Sequence, residues 1–405
     1  MSDATESRGP LTGLTVLDLS RVLSGPYCTM QLADMGARVI KIEHPKHGDD
    51  TRAWGPPWVG EESSYFLSIN RNKESVAIDF KSPQGRALLD QLIARADILV
   101  ENFRPGTLSR MGLDYATLAQ KHPRLIYASI SGFGHTGPRT NEAGYDAMMQ
   151  AEGGLMSVTG TPDAPPVRLG VAISDIAAGM FTMQGILLAL IARGTTGRGQ
   201  HVDISMFDST LALLTYQAQR TLITGTAPTR QGNQHASIAP YNTYEAADGT
   251  LVLAVGNDDQ FVRFCKVSAL PHVAADPRFA TNDDRVKHYD ALHPIVAAAI
   301  ASDTVEGWLQ KLREAGVPAG AVRQIDAALA DAQVAARHMV EVVNHTTAGA
   351  VPVLGVPVKL SETPGSVRSA PPVLGQHTRH VLNDDLGLSG HEIDALVGAG
   401  VVKCA

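Results

Sequence analysis

Cysteine is scarce in this chain: Cys28, Cys265 and Cys404 are the only three in 405 residues. They are far apart and odd in number. That excludes a disulfide framework and a cysteine zinc site, and it fits a reducing compartment. Positive charge is also in deficit. Lys and Arg total 34 against 41 Asp and Glu, for a formal net charge of −7. No basic footprint for nucleic acid exists in such a balance. An acidic total still permits anionic ligands if cations are gathered locally. His235 and His377 have no second ligand at metal spacing, so no metal is expected. There is no G-x-S-x-G elbow for a serine hydrolase. After the first apolar strand stands Ser24-Gly25-Pro26, not the G-x-G-x-x-G of a nicotinamide site.

Long apolar runs are few. The opening residues, Met-Ser-Asp-Ala-Thr-Glu-Ser-Arg-Gly-Pro, have no apolar core and carry acids. Neither a secretory signal nor a transit peptide is expected, and the location is read as cytoplasmic. The most membrane-like stretch, Ile176 to Ala192, contains Gln184 and follows Asp175. A spanning helix needs about 20 apolar residues, so this stretch is read as buried in protein, with no membrane partner.

What is present is alternation. Apolar strands are expected at Leu14–Leu19, Arg38–Glu43, Ser75–Phe80, Asp97–Glu101, Leu125–Ser131 and from His201. Helices are expected between them, one opened by Ser82-Pro83 and another from about Thr107. Apolar strands alternating with helices imply a parallel sheet covered on both faces. The fold class is therefore α/β, a doubly wound, Rossmann-like parallel sheet. The length implies two domains. The large one is placed at 1–215 and 335–405, and a smaller α/β domain at 216–334. That smaller domain carries a strand at Thr250–Val255 and a helix capped by Asp303 and closed by Gly316 and Pro318. A terminal helix starts at the capping box Ser389 to Glu392. The polar stretch His44–Asn72 is long for a connection and is expected to wrap over the surface or a binding site.

Parallel sheets of this kind bind ligands beyond the carboxyl ends of their strands. Cations gather at those ends: Arg21, Lys81, Arg104 and Arg110, with His44 as a fifth. Singly these are ordinary surface charges. Together they suit a polyphosphate. Asp175 stands immediately before the apolar run, at an expected helix N-terminus. Asp is a common helix cap. The free N–H groups and the dipole there also favour an ionised carboxylate, the form a covalent nucleophile requires.

Several motifs carry a resemblance. They are Leu17-Asp-Leu-Ser-Arg-Val-Leu-Ser-Gly-Pro26, Gly36-Ala-Arg-Val-Ile-Lys-Ile-Glu43, Gly48-Asp-Asp-Thr-Arg52, Asn70-Arg-Asn-Lys73, Val100-Glu-Asn-Phe-Arg-Pro-Gly106, Gly144-Tyr-Asp146, Thr196-Gly-Arg-Gly-Gln200 and Leu374-Gly-Gln-His377. Over nearly its whole length the chain resembles the class III (CaiB/BaiF-type) CoA-transferases. The resemblance implies that Asp175 is the catalytic aspartate, passing through an aspartyl anhydride and an aspartyl-CoA thioester. It implies that Leu23, Ser24, His44, Ile78, Asp79, Lys81, Asn102, Phe103, Arg104 and Arg110 line the site for coenzyme A, a substrate and not a resident cofactor. It also implies an intertwined homodimer.

The chain departs from the family in places. Formyl-CoA transferase carries Arg at the place of His44, and it has a glycine run where this chain reads Gly232-Asn-Gln-His-Ala-Ser-Ile-Ala-Pro-Tyr241. Oxalate is therefore disfavoured. The racemases of the family, the alternative function, carry His where this chain has Tyr145, whose hydroxyl titrates far above neutral pH. The strongest likeness, in Asp50–Pro57, Ser237–Tyr241 and Ala370–Thr378, is to the succinyl-CoA:glutarate branch. The expected acceptor is a C4 or C5 dicarboxylate. Its far carboxylate needs a partner, with Arg71, Tyr145, Arg168 and His235 as candidates.

Overall fold

A computed structural model describes residues 9–405. The leader-free reading of the first ten residues falls largely outside that range. The chain divides into two compact units. One comprises the residues up to Leu155, Leu169–Gln219 and Ala332–Ala405; the other comprises Met156–Arg168 and Arg220–Asp331. The segment Met156–Arg168 thus groups with the small unit and not, as the sequence suggested, with the large one. Long-range polar bonds explain this. The Arg230 guanidinium donates to the carbonyls of Thr161, Pro162 and Ala164, and the Gly232 amide donates to Gly160.

The first unit opens with β1 (Thr15–Asp18), helix α1 (Ser24–Asp34) and β2 (Arg38–Glu43). A short hairpin of β3 (Trp58–Val59) and β4 (Glu62–Ser63) leads into α2 (Ser64–Ile69) and β5 (Lys73–Ile78). Then follow α3 (Pro83–Ile93), β6 (Ile98–Glu101), α4 (Tyr115–Lys121), β7 (Ile126–Ser131) and α5 (Asp146–Glu152). After the excursion into the second unit, a long helix, Ile173–Thr196, delivers β8 (His201–Ser205).

The sheet order is β5-β2-β1-β6-β7-β8, all parallel, with Val402–Lys403 added antiparallel at the β5 edge. The period-2 alternation of the strands sorts their side chains to two faces. On one face Leu17, Ile40, Ile42, Val76 and Leu99 meet Leu88, Leu89 and Leu92 of α3. On the other, Val16, Val39, Val100 and Ile126 meet Leu32 and Ala33 of α1 and Ile186 and Ala189 of the long helix. Each buried Leu, Ile or Val among them contributes roughly 1.5–3 kcal/mol.

The expected elements appear with shifts. Ser82 caps α3, accepting from the Gly85 amide, with Pro83 in the first turn. The third expected strand lies two residues earlier than read. Beyond β6 there is no helix from Thr107, only a 3-10 turn at Ser109–Met111 closed by Gly112, whose φ of +63° ends it. The long helix is buried on one face only: Met180, Leu188 and Ile191 are exposed. By length and composition it could cross a membrane.

In the second unit β9 (Tyr241–Ala246), β10 (Gly249–Ala254) and β11 (Ala319–Ala321) form an antiparallel sheet in the order β11-β10-β9. Its core is Leu251, Leu253, Phe261, Phe264, Val296, Trp308 and Leu312. The cap of its last long helix, Val305–Glu314, is Thr304, which accepts from the Gly307 amide; Asp303 accepts from Thr304 and pairs with Lys311 instead. The chain then returns to the first unit through a hairpin of β12 (Val340–His345) and β13 (Gly349–Leu354). The tail is tied to β5, where the Ser75 amide donates to His377 Nδ1 and the Ala77 amide to Thr378 Oγ1.

Candidate active site

The sheet reverses its winding between β1 and β6. Loops leaving these neighbours part in opposite directions and leave a crevice at their carboxyl ends. A cleft of about 600 Å³ lies there, walled by the ends of β1, β2, β5, β6 and β7.

The loop after β1 is held in a demanding shape. Val22 has φ of +69°, the left-handed region that a β-branched residue rarely adopts. Three contacts fix it. The Asn102 side chain accepts from the Arg21 amide at 2.9 Å and donates to the Arg21 carbonyl at 2.7 Å. The Asp49 carboxylate accepts from the Val22 amide at 3.3 Å. The exits of β1, β2 and β6 are thus one connected rim. Asp49 is itself pinned by Lys41, 2.9 Å away, with both side chains fully buried.

Asp175 lies in the wall of this cleft. The helix N-cap is Ala172, so Asp175 is a first-turn residue and not the cap. One turn on, Gly179 lets the helix press against α1: a Cβ there would sit 2.6 Å from the Ser24 carbonyl oxygen. That approach brings Asp175 to Ser24, whose hydroxyl and amide favour its ionised form. A second close approach, Gly132 against Gly144, has the same effect from the β7 side, since a Cβ on Gly132 would meet Gly144 Cα at 2.8 Å. It places Tyr145 and Asp146 beside the end of β7. Asp146 accepts from the Ser174 amide at 2.9 Å and from Gln150 Nε2 at 2.7 Å.

Two carboxylates therefore share one helix start. Burial raises the Asp175 carboxyl, the charge of Asp146 raises it further, and the two Ser24 bonds pull it down; the balance is about 7. Desolvation and a like charge thus oppose the ionised form that the helix N-terminus favours. At neutral pH the carboxylate is weakly solvated and close to its midpoint.

Of the residues expected to line the coenzyme site, Ser24, His44, Ile78, Asp79, Lys81, Asn102, Phe103 and Arg104 do line the cleft. Leu23 does not; it is buried against Met30 and Ile69 behind the wall. Arg110 is exposed just outside, its guanidinium 3.5 Å from Thr107, which does line the cleft. Tyr145 lines the cleft and is 69% exposed.

Arg71 is lost as a substrate cation. It is buried, and its guanidinium makes a two-pronged bond to Asp34 at 3.0 and 2.6 Å. Arg168 and His235 belong to the second unit, Arg168 exposed and His235 half-buried with its ring 5.2 Å from that of Tyr241. Sequence reasoning missed His47, Ser131 and the Gly132–Gly144 contact. Only His47, three residues beyond His44, left a readable signal. Ser131 lines the cleft with its Oγ buried and without a hydrogen-bond partner. No group of His, Cys, Asp and Glu able to hold a metal occurs among the described residues.

Comparison with known proteins accords with this geometry. The description CoA-transferase family III matches residues 11–378. Succinyl-CoA:glutarate CoA-transferase of Mus musculus is 42% identical over 398 residues, covering 98% of this chain and 91% of the relative. Acetyl-CoA:oxalate CoA-transferase of Acetobacter aceti is 44% identical over 364 residues, covering 89% and 92%. Among solved structures, a CaiB/BaiF family protein from Brucella suis superimposes with a TM-score of 0.83 at 40% identity, covering 93% of this chain and all of that one. With a strand-end cleft, a half-buried aspartate in its wall and matches of this extent, the chain belongs to CoA-transferase family III and is a CoA-transferase.

Proposed function

We propose that the enzyme moves CoA from succinyl-CoA to a C4 or C5 dicarboxylic acid, with Asp175 as the covalent carrier. The observation that carries this reading is the Asp175 carboxylate: it forms part of the cleft wall with Ser24, and burial and the charge of Asp146 raise it while Ser24 lowers it. The ionised carboxylate attacks the thioester carbonyl carbon. The carbon–sulfur bond breaks and CoA leaves as thiolate, giving an aspartyl mixed anhydride. The thiolate then attacks the Asp175 carbonyl, the donor acid departs as a carboxylate, and an aspartyl-CoA thioester remains. An incoming carboxylate runs the same two steps in reverse. No proton and no water is consumed, so a dry cleft protects both intermediates from hydrolysis.

Ser24 has a second task in this scheme. When the thiolate attacks Asp175, negative charge develops on the aspartyl oxygen, and the Ser24 hydroxyl and amide are the donors placed to stabilise it. Donors in place before the charge appears need no reorganisation. Lys81 and Arg104, on the exits of β5 and β6, meet the phosphates, with Arg110 at the margin. Ile78 and Phe103 offer apolar contact to the pantetheine arm. Tyr145 is the remaining candidate of the first unit for the acid substrate.

The dicarboxylate is supported by the Mus musculus relative, which is named for succinyl-CoA and glutarate, and its far carboxylate requires a partner, since a buried one without a partner is costly. The exposed Met180, Leu188 and Ile191 on the long helix support a homodimer, to be tested by sedimentation. The three unpaired cysteines fit a cytoplasmic enzyme.

The experiment is a screen of succinyl-CoA against succinate, glutarate, malate, itaconate, mesaconate, oxalate and butyrate. It is followed by hydroxylamine trapping and mass spectrometry of the acylated enzyme. Turnover on a C4 or C5 diacid with hydroxamate on Asp175 is expected. Preference for oxalate or butyrate overturns the acceptor assignment. Epimerisation with deuterium uptake at the α-carbon, and no transfer, overturns the reaction in favour of the racemase alternative.

A further inference from the structure

The rim of the cleft holds two imidazoles that the transfer chemistry does not use. His44 and His47 follow the end of β2, and their rings stack at 4.1 Å between centroids and 5° between planes. Both line the cleft, His44 half-buried and His47 exposed.

Their backbone bonds make them chemically different. The Lys46 amide donates to His44 Nδ1 at 3.2 Å, so this nitrogen is an acceptor and the proton of the neutral ring sits on Nε2. Protonating His44 would break that bond. His47 has the opposite arrangement. Its Nδ1 faces the Gly48 carbonyl at 3.1 Å, and a carbonyl only accepts, so Nδ1 carries the proton. The Nε2 of His47 is then the basic nitrogen, and His47 can become a cation without losing its bond. Stacking opposes two charges: burial first and His47 second hold His44 below its ordinary range, with Lys81 and Lys46 acting in the same direction and Asp79 against them.

The other charges on this rim are largely committed. Asp49 is paired with Lys41, and Asp50 with Arg21 at 3.1 Å. Asp79 accepts from the Lys81 amide. Among the described residues no acid forms an ion pair with Lys81, which lines the same wall.

We propose that His44 and His47 form a proton-linked phosphate clamp, in which neutral His44 donates from Nε2 while His47 takes up a proton at Nε2 as a phosphate group arrives. The proposal rests on the reading that this cleft binds a CoA thioester. Its consequence is that binding of the phosphate-bearing end consumes a proton near neutral pH, although the transfer reaction itself consumes none.

The test is calorimetry of CoA binding to the full-length enzyme between pH 6 and 8. Two buffers of different ionisation enthalpy give the number of protons taken up. The phosphate monoester of CoA titrates in the same window, near pH 6. The quantity read is therefore the difference between the native enzyme and the His44→Gln/His47→Gln variant, in which the ligand's own titration cancels. The native enzyme is expected to take up between about 0.3 and 1 proton more than the variant, and to lose affinity more steeply with pH, by up to tenfold per unit for one linked proton. His47→Gln alone abolishes the uptake; His44→Gln alone weakens affinity and keeps it. His47→Arg restores affinity with no uptake.

Dephospho-CoA locates the phosphate. Uptake that vanishes with it assigns the clamp to the 3′-monoester; uptake that persists assigns it to the diphosphate. Equal uptake and equal pH slopes in the native enzyme and the double variant, both still binding, overturn the clamp. Failure of the native enzyme to bind CoA at any pH overturns instead the reading of the cleft.

Discussion

Asp18, fully buried, and Asp175, half-buried, are acids near the same crevice, and their pKa values shift in opposite directions. Asp18 ends β1 with no exposed side-chain surface. Burial alone would raise it, but Lys73 at 3.2 Å, nearby Lys41, and the hydroxyls of Ser20 and Thr29 hold it below the usual carboxylate range. Burial lowers Lys73 to about 8 in spite of Asp18, which still leaves it charged at neutral pH. Asp49, beside Lys41, falls to about 2 by the same balance. Asp175 has only Ser24 to help it and Asp146 against it, and it rises to about 7. The fold thus keeps cations under its rim and withholds them from one carboxylate. A carboxylate locked to a lysine is a poor nucleophile. One with no paired cation, partly desolvated, fits the proposed nucleophile better.

The largest effect expected from breaking this contrast is at Asp175 itself. Asp175→Ala should lower transfer by roughly 10⁴-fold or more, the scale seen when a covalent nucleophile is removed. Asp175→Asn should be equally inactive yet bind CoA, because the phosphate end of the cleft is untouched. Initial rates and CoA calorimetry on both variants read this out, and full turnover by the Ala variant removes the covalent mechanism. Next comes the structural acid. Lys73→Met leaves Asp18 buried against one fewer cation and should cost about 3–5 kcal/mol, read from urea midpoints. The double variant Asp18→Asn/Lys73→Met should recover part of that loss, since no uncompensated charge remains. If the single variant is as stable as the native enzyme, the cluster under the rim is not what holds Asp18 down.

Much of this could be read from the chain. The strand-end cations Lys81 and Arg104 and the start of the long helix at Asp175 follow from period-2 and helical patterning, which report local structure. What patterning cannot report is closure over distance. Arg71 looked like a free cation in Asn70-Arg-Asn-Lys73, but Asp34, remote in sequence, takes it completely. Leu23 and Ser24 are neighbours, yet one faces the core and the other the cleft, because the positive φ of Val22 turns the loop between β1 and α1. The pKa of Asp175 was misjudged for the same reason. The helix start was visible locally, whereas Asp146 and the burial arrive through Gly179 and the Gly132–Gly144 contact. The strands β9 and β12 were missed because their half-exposed, polar-interrupted patterns look like loop until a partner strand is known; β11 is only Ala319-Gly-Ala321, and β13 contains Pro352.

A third acid separates burial from function. Glu101, at the end of β6, is buried with His135 at 4.0 Å, and among the described residues no Lys or Arg pairs with it. Burial lifts it to about 8, against a bond from the Phe103 amide and with help from the charge of Asp203. Glu101 does not line the cleft, so a raised carboxyl is not by itself the mark of the nucleophile. Its folded pKa lies above the unfolded value of about 4.3. Between the two, the folded state holds a proton that the unfolded chain has lost. The stability this group contributes is present at low pH and is lost as pH rises toward 8. The loss has an upper bound of about 1.4 kcal/mol per pH unit. Glu101→Gln mimics the protonated form and should flatten that slope with little change in kcat. Urea unfolding at pH 5 and pH 8.5 measures it, and parallel slopes for the two proteins would contradict the raised value.

The smallest effect, and the most direct on the contrast, is at Asp146. Its charge is the second cause lifting Asp175, after burial. Asp146→Asn keeps an oxygen for the Ser174 amide and removes the charge. The Asp175 carboxyl should then titrate at lower pH. The proposed reaction needs the ionised form, so a rising limb of kcat/KM is expected near pH 7 in the native enzyme and should move toward acid in the variant. At pH 6 the variant should retain about two- to tenfold more of its own plateau rate than the native enzyme does of its plateau. The plateau may be compared only after thermal melting shows both proteins folded, because the Asn amide now meets Gln150 Nε2, which donated to Asp146 at 2.7 Å. The position of the limb is insensitive to that loss, since a merely structural defect lowers the rate at every pH alike. A limb that stays in place means burial alone sets the Asp175 pKa. A limb that moves toward alkali means Asp146 acts through its bond to the helix start, which would then be holding Asp175 in its ionised form and not pressing against it.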